Sequence, residues 1–201
     1  MRNTVVFDLG GVLIDWDPRH LYRKLFNGNE SAMEHFLTTV CTAEWNKQQD
    51  AGRACADAAR FLKRQHEHHA ELIDAYYERF DEMMSGPIEG TVEILKELHA
   101  RGTPLFALSN FSAETYPLAA KRFEFLRLFR DIVVSGDVKV IKPDPAIYKI
   151  LLARAGIEPT AAVFVDDVRA NVEAAGELGI LGVHFTGPEA LRVELRQLGL
   201  V

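Results

Sequence analysis

The stretch FDLGGVLID, Phe7 to Asp15, decides how the chain is read. Thr4 to Phe7 and then Leu9 are apolar or β-branched, and they surround a single carboxylate, Asp8, which two glycines, Gly10 and Gly11, closely follow. A buried strand that ends in a charge is costly unless something pairs with that charge. The glycines leave the backbone free to turn away sharply. Asp8 is therefore a candidate for chemistry.

Four later segments share the apolar, strand-like character of the first: TPLFALS (103–109), RDIVVS (130–135), AAVFVD (161–166) and ILGVHF (180–185). Apolar runs without alternation predict strands buried on both faces, as in a parallel sheet. Helical spacing recurs between them. Val92, Leu95 and Leu98 mark one helix, Ile147, Ile150 and Leu151 a second, and 168–178 a third, each ending at a glycine. Strand and helix alternate, which predicts an α/β, Rossmann-like doubly wound parallel sheet. Residues 15–85 differ: HLYRKLF, SAMEHFLTTV, ACADAARFLKRQ and AELIDAYYERFDEMM are amphipathic, with no strong strand among them. The segment is too long for an ordinary connection. It predicts an all-helical cap inserted into a core built from 1–14 and 86–201.

Ligands of open parallel sheets bind beyond the carboxyl ends of the strands. Those ends carry Asp8, then Ser109 and Asn110, and finally Asp166 and Asp167, with Lys142 in the loop after the third strand. Three converging carboxylates resist ionisation together unless a cation sits among them. All are oxygen donors, the ligand type Mg²⁺ prefers. A lysine and a hydroxyl beside main-chain N–H groups suit the outer oxygens of a phosphate. Asp8 could then attack phosphorus to form an aspartyl phosphate that water cleaves, with the carbonyl of Gly10 turned towards the metal.

FDLGGVLID, LSN, KP and VFVDDVRAN, in that order and spacing, resemble the haloacid dehalogenase (HAD) superfamily. The resemblance covers essentially the whole chain, the helical cap included. It implies that Asp8 is the nucleophile and a Mg²⁺ ligand, and that Asp166 is the second carboxylate ligand. Ser109 and the backbone at Asn110 would hold the transferring group, and Lys142 would neutralise charge on it. Asp167 would act around the metal, and Asn171 would orient this loop.

One departure matters. Most phosphatases of the superfamily carry a second aspartate two residues after the nucleophile, as proton donor and then base; here that residue is Gly10. Such a loss costs on the order of 10²–10⁴ in rate. A phosphatase acting on an easily expelled leaving group, such as an anomeric sugar phosphate, fits. So does a substitute carboxylate, Asp15 or one from the cap. The pattern also resembles the glucose-1-phosphate phosphatase branch, which lacks that aspartate too. A metal-independent 2-haloacid dehalogenase needs no proton donor, but such enzymes have a serine where this chain has Asp166, whose charge would repel nucleophile and substrate alike. An inactive binding member would be expected to have lost one of these groups.

The remaining features are plainer. The chain has 201 residues, 48% hydrophobic and 26% charged, with a net charge of −6 and no basic stripe, which argues against nucleic acid as a partner. Cys41 and Cys55 lack CxxC spacing and suit free thiols in a reducing compartment. No leader pattern or spanning segment is evident, so a soluble, cytoplasmic protein with a small phosphorylated substrate is expected, as monomer or homodimer. HEHH, 66–69, does not match HExxH because Ala70 replaces the second histidine, and it suits a polar helix face. Ser109-Asn110 alone would suit a helix cap. Trp16, Trp45 and Arg53 divide between substrate selection and packing of the cap.

Overall fold

The computed structural model describes residues 2–201. The chain opens with strand β1 (Thr4–Phe7), turns through residues 9–13 and enters a short strand β2 (Ile14–Trp16). Five helices follow: α1 (Pro18–Leu25), α2 (Glu30–Thr39), α3 (Ala43–Asp50), α4 (Cys55–Gln65) and α5 (Ala70–Glu78). Strand β3 (Met84–Pro87) returns, and then α6 (Glu89–Ala100), β4 (Leu105–Ser109), α7 (Tyr116–Arg122), β5 (Asp131–Val134) and the single turn α8 (Ser135–Val138). The chain ends with α9 (Pro145–Ala155), β6 (Ala162–Asp166), α10 (Arg169–Glu177), β7 (Leu181–His184) and α11 (Pro188–Gln197).

Five strands form one parallel sheet in the order β5-β4-β1-β6-β7. β1 is central, with Phe7 opposite both Ala107 and Val165, so the carboxyl ends of three strands lie side by side. Side chains alternate across the sheet. Val5 and Phe7 join the cluster containing Ile94, Leu95 and Leu98 of α6 and Leu191 and Leu195 of α11. Val6 points the other way, into the cluster with Phe106, Phe164, and Ile147, Tyr148 and Leu151 of α9. Both faces are covered, which accounts for the unbroken apolar runs. The α/β parallel sheet is as the sequence predicts.

The inserted helices start where local chemistry allows. The side chain of Asp17 accepts from the N–H of Arg19 with Pro18 at the first helical position, and Thr42 accepts from Trp45 N–H at 3.0 Å. Their apolar faces meet in a cluster of Leu21, Tyr22, Met33, Phe36, Ile73 and Tyr76, all essentially buried. The segment is not helical throughout. Asp15 and Trp16 of β2 pair antiparallel with Gly86 and Met84 of β3, so a two-stranded ribbon stands at the foot of the helices. Ile-Asp-Trp and Met-Ser-Gly-Pro carry no continuous apolar run of the kind that marks the parallel strands. HEHH also departs from expectation: Glu67–His69 form a 3₁₀ turn between α4 and α5.

Candidate active site

The chain reverses direction across the sheet beside β1, which leads outward through β4 to β5 and then crosses to β6 and β7. A crevice opens at such a switch point. Here it broadens into a cavity of about 850 Å³, within the range of small-molecule sites. Its floor is Asp8, Gly10, Ser109, Asn110, Lys142, Asp167 and Asn171, and its roof comes from α1, α3, α5 and the residues between.

Asp8 follows the last residue of β1, held by its own N–H on the carbonyl of Val165 at 2.8 Å. One carboxylate oxygen accepts from Leu9 N–H at 2.7 Å and the other meets Lys142 Nζ at 2.8 Å. The Lys142 ammonium also donates to Asp166 Oδ2 at 2.7 Å and to the Leu108 carbonyl at 2.9 Å, so its three protons have three acceptors. Burial pulls this ammonium down, but Asp8 and Asp166 outweigh it and hold it above the usual lysine value. Asp166, fully buried, also accepts from Val168 N–H at 2.8 Å and from Asn171 Nδ2 at 3.1 Å on each oxygen. Asn171 is in turn fastened by Tyr148, whose hydroxyl donates to its carbonyl at 2.9 Å.

Asn110 is committed elsewhere than its sequence position suggests. Its side chain donates to the Lys142 carbonyl at 3.0 Å and accepts from Lys142 N–H at 2.8 Å. It clamps the lysine loop, leaving only its main chain to face a ligand. Ser109 is buried at the end of β4 and lines the cavity.

Oxygens of Asp8, Asp166 and Asp167 all lie within 4.8 Å of one another, the one such group of three metal-binding side chains among the described residues. One ammonium stands against three carboxylates. Burial, first of all, lifts Asp8 above the ordinary carboxylate range in spite of Lys142, and the charge of Asp166 adds to it. Burial and Asp166 likewise raise Asp167. A hard divalent cation would balance such a set of anionic oxygens, and these residues fit Mg²⁺.

The two glycines differ. Gly11 has φ +72°, and a Cβ there would lie 2.3 Å from Asp167 Oδ2. Gly10 has no left-handed backbone, and a Cβ there would meet nothing within 4 Å. The turn needs Gly11; at position 10 space is simply left open beside Asp8.

Of the cap residues singled out, Trp16 lines the cavity with its buried indole N–H unpartnered, whereas Trp45 packs edge-on to Tyr76, ring centres 5.1 Å apart, away from the cavity wall. Arg53 donates to Gln49 Oε1 at 2.7 Å and is not part of the wall. Asp15 is half exposed and bound to His20 Nε2 at 3.0 Å and to the Ser85 hydroxyl, outside the cavity. Three carboxylates stand in the roof, Asp17, Glu44 and Asp50. Asp17 caps α1 and meets Arg19, and Glu44 is exposed and paired with Lys47, whereas Asp50, at the end of α3, is buried; sequence reasoning passed it over. Its only signal is an acid next to Ala51-Gly52 at the end of a helix too polar to look buried.

The chain is 26% identical over 217 residues to acyl-CoA dehydrogenase family member 10 of Mus musculus, covering 97% of this chain but 19% of that protein's length. It is 26% identical to a sesquiterpene phosphatase of Aspergillus oryzae, covering 97% and 95% of the two chains. Its fold superposes on a HAD family enzyme of Bacteroides thetaiotaomicron, solved with magnesium and inorganic phosphate, with a TM-score of 0.71 at 23% identity over 93% and 96% of the two chains. A profile of the haloacid dehalogenase-like hydrolases matches residues 3–179, and the chain belongs to that family.

Proposed function

We propose that the protein is a Mg²⁺-dependent phosphomonoesterase acting on a small phosphorylated metabolite. The observation that carries this reading is the convergence of Asp8, Asp166 and Asp167 on one ammonium, Lys142, at the open end of the sheet. Asp8, Asp166 and the Gly10 carbonyl would hold the metal, with Asp167 beside them; the ion would draw charge from the phosphoryl oxygens and keep the carboxylates ionised. Asp8 would attack phosphorus in line with the leaving oxygen and carry the phosphoryl group as an aspartyl phosphate. Lys142, immobilised by three acceptors, would hold Asp8 in its reactive rotamer and neutralise the transferring group. Ser109 and the Asn110 N–H would bind the remaining phosphoryl oxygens. Asn171 would keep Asp166 in place through its two hydrogen bonds. The core, 1–14 and 86–201, would supply the chemistry, and the cap, 15–85, would select the substrate through residues such as Trp16.

The phosphatase named among the similar proteins supports this reading. A metal-free dehalogenase suits the site less well, because the buried Asp166 and the adjacent Asp167 would face an anionic substrate with only Lys142 to offset three charges. Release of p-nitrophenol from p-nitrophenyl phosphate tests the proposal directly. Turnover that needs Mg²⁺, stops with EDTA and is lost in Asp8→Asn is expected, and a sugar-phosphate panel would then identify the substrate class. No turnover with any divalent metal, together with halide release from 2-chloropropionate, would overturn it.

A further inference from the structure

A phosphatase with glycine at position 10 lacks a proton donor on the core side of the cleft, and of the three carboxylates in the roof Asp17 is paired with Arg19 and Glu44 with Lys47, while Asp50 is buried and in no salt bridge among the described residues. Asp50 lines the same cavity as Asp8 and is itself 9% exposed. We propose that Asp50, delivered by the cap, protonates the leaving oxygen and then takes a proton from the attacking water. This inference rests on the phosphatase reading above.

The position of Asp50 is fixed relative to the core although it belongs to the inserted segment. Its carbonyl accepts from the Ser135 hydroxyl at 2.6 Å, and the same hydroxyl accepts from Phe111 N–H at 3.0 Å, two residues beyond Ser109. Two residues on, Gly52 has φ +96°, and a Cβ there would sit 2.9 Å from Lys139 Cγ and 3.2 Å from the Gly136 carbonyl. The end of α3 is thus tied through Ser135 and Gly136 to the loop after β4 and to α8, which holds the acid in place against the phosphate-binding loop. General acid catalysis requires that fixed geometry.

The carboxyl is also held by a polar network. Asn46 Nδ2 donates to Asp50 Oδ2 at 3.1 Å, and Gln49 Nε2 donates to the Tyr77 hydroxyl at 2.7 Å, which reaches Asn46 Oδ1 at 3.3 Å. The titratable groups around it are Asp8 across the cleft, Tyr76 and Tyr77 of α5 and Cys55 of α4, with Lys139 beside Gly52. Burial pushes the Asp50 carboxyl up to about 7, against the Ser112 N–H, and the charge of Asp8 adds to the rise. An acid that must both give and accept a proton near neutrality is suited by such a value.

Asp8 forms an O–P bond while the bond from phosphorus to the leaving oxygen breaks, and the Asp50 proton goes to that oxygen, releasing an alcohol. Asp50, now a carboxylate, takes a proton from water, whose oxygen forms a bond to phosphorus as the bond to Asp8 breaks. Phosphate leaves and Asp50 is again protonated.

Leaving-group dependence tests this, because p-nitrophenol needs no proton to depart and an alkyl alcohol does. In Asp50→Asn, kcat/KM for glycerol 2-phosphate should fall by about 10²–10⁴, while that for p-nitrophenyl phosphate falls less than about tenfold. A burst of p-nitrophenolate should precede a slow steady state, since the phosphorylated enzyme now lacks its base. In Asn46→Ala the high-pH limb of kcat/KM for the alkyl substrate should move upward, because a hydrogen bond to the ionised carboxyl is gone. Equal losses on both substrates, no loss, or an unmoved limb in Asn46→Ala would overturn the role of Asp50 while leaving the phosphatase intact. Wild-type inactivity on both substrates would overturn the phosphatase reading and this inference with it.

Discussion

The floor and the roof of the cleft are built on different rules. Asp8, Ser109 and Asp166 stand at or just after the ends of adjacent parallel strands, so sheet register alone brings them together. Asp50, Trp16 and Asn46 reach the same cavity only because helices and a short ribbon pack in one particular way. Chemistry placed by a sheet follows from local sequence. Chemistry placed by helix packing follows from the tertiary fold.

The largest effect separating the two regions should come from the floor. Asp8→Asn removes the proposed nucleophile and should reduce kcat by about 10⁴ or more on every phosphate ester, whatever its leaving group. A steady-state rate above a few per cent of wild type would place the nucleophile elsewhere.

Substitutions in the roof should divide by what each tryptophan touches. Trp45→Ala empties a site packed against Tyr76 and Tyr77 and should cost about 3–5 kcal/mol of stability, read by urea denaturation. Trp16→Ala should act mainly on KM, because Trp16 lines the cavity. If Trp45→Ala changed KM with stability unaltered, the assignment of the two rings would be reversed.

The pH dependence of stability probes the roof carboxylate without any assay of activity. The folded-state pKa of Asp50, about 7, lies above the ordinary 3.8. Below the ordinary value the group is neutral in both states and its burial carries no ionic penalty. As pH rises from there to the folded value, stability is lost, up to an upper bound of about 4 kcal/mol, and above it the loss is constant. Asp50→Asn should therefore melt higher than wild type at pH 8 and gain much less at pH 4. A gain independent of pH would mean that the carboxyl ionises as freely folded as unfolded.

The smallest effect compares two neighbours on the floor. Gly11→Ala forces a left-handed backbone on alanine and pushes aside the Asp167 carboxylate, costing about 1–2 kcal/mol and weakening metal affinity. Gly10→Ala should change stability by less than about 0.5 kcal/mol, since its Cβ enters open space. Equal costs, measured by thermal unfolding and Mg²⁺ titration, would remove the distinction.

The same contrast explains what could be read from the sequence. Apolar runs buried on both faces, each ending in a polar cluster, expose the strands and the carboxylates together, because a strand of five residues dictates where its end points. The ribbon of β2 and β3 escaped notice since Asp15-Trp16-Asp17 and Ser85-Gly86-Pro87 have turn composition and too few residues for alternation. Asp50 escaped notice for a different reason. AEWNKQQD reads as a solvated helix, yet Asn46, Gln49 and Asp50 are all buried, satisfied by one another and by Tyr77. Polar residues that pay for burial through mutual hydrogen bonds carry no hydrophobic signal.

The most direct test of the account is to find the phosphoryl group. Wild-type and Asp50→Asn protein would be acid-quenched during turnover of p-nitrophenyl phosphate with Mg²⁺, digested and mapped by mass spectrometry. The account predicts a phosphorylated peptide carrying the group on Asp8, with higher occupancy in Asp50→Asn than in wild type. Turnover with no phosphorylated peptide in either protein, or with the group on another residue, would contradict it.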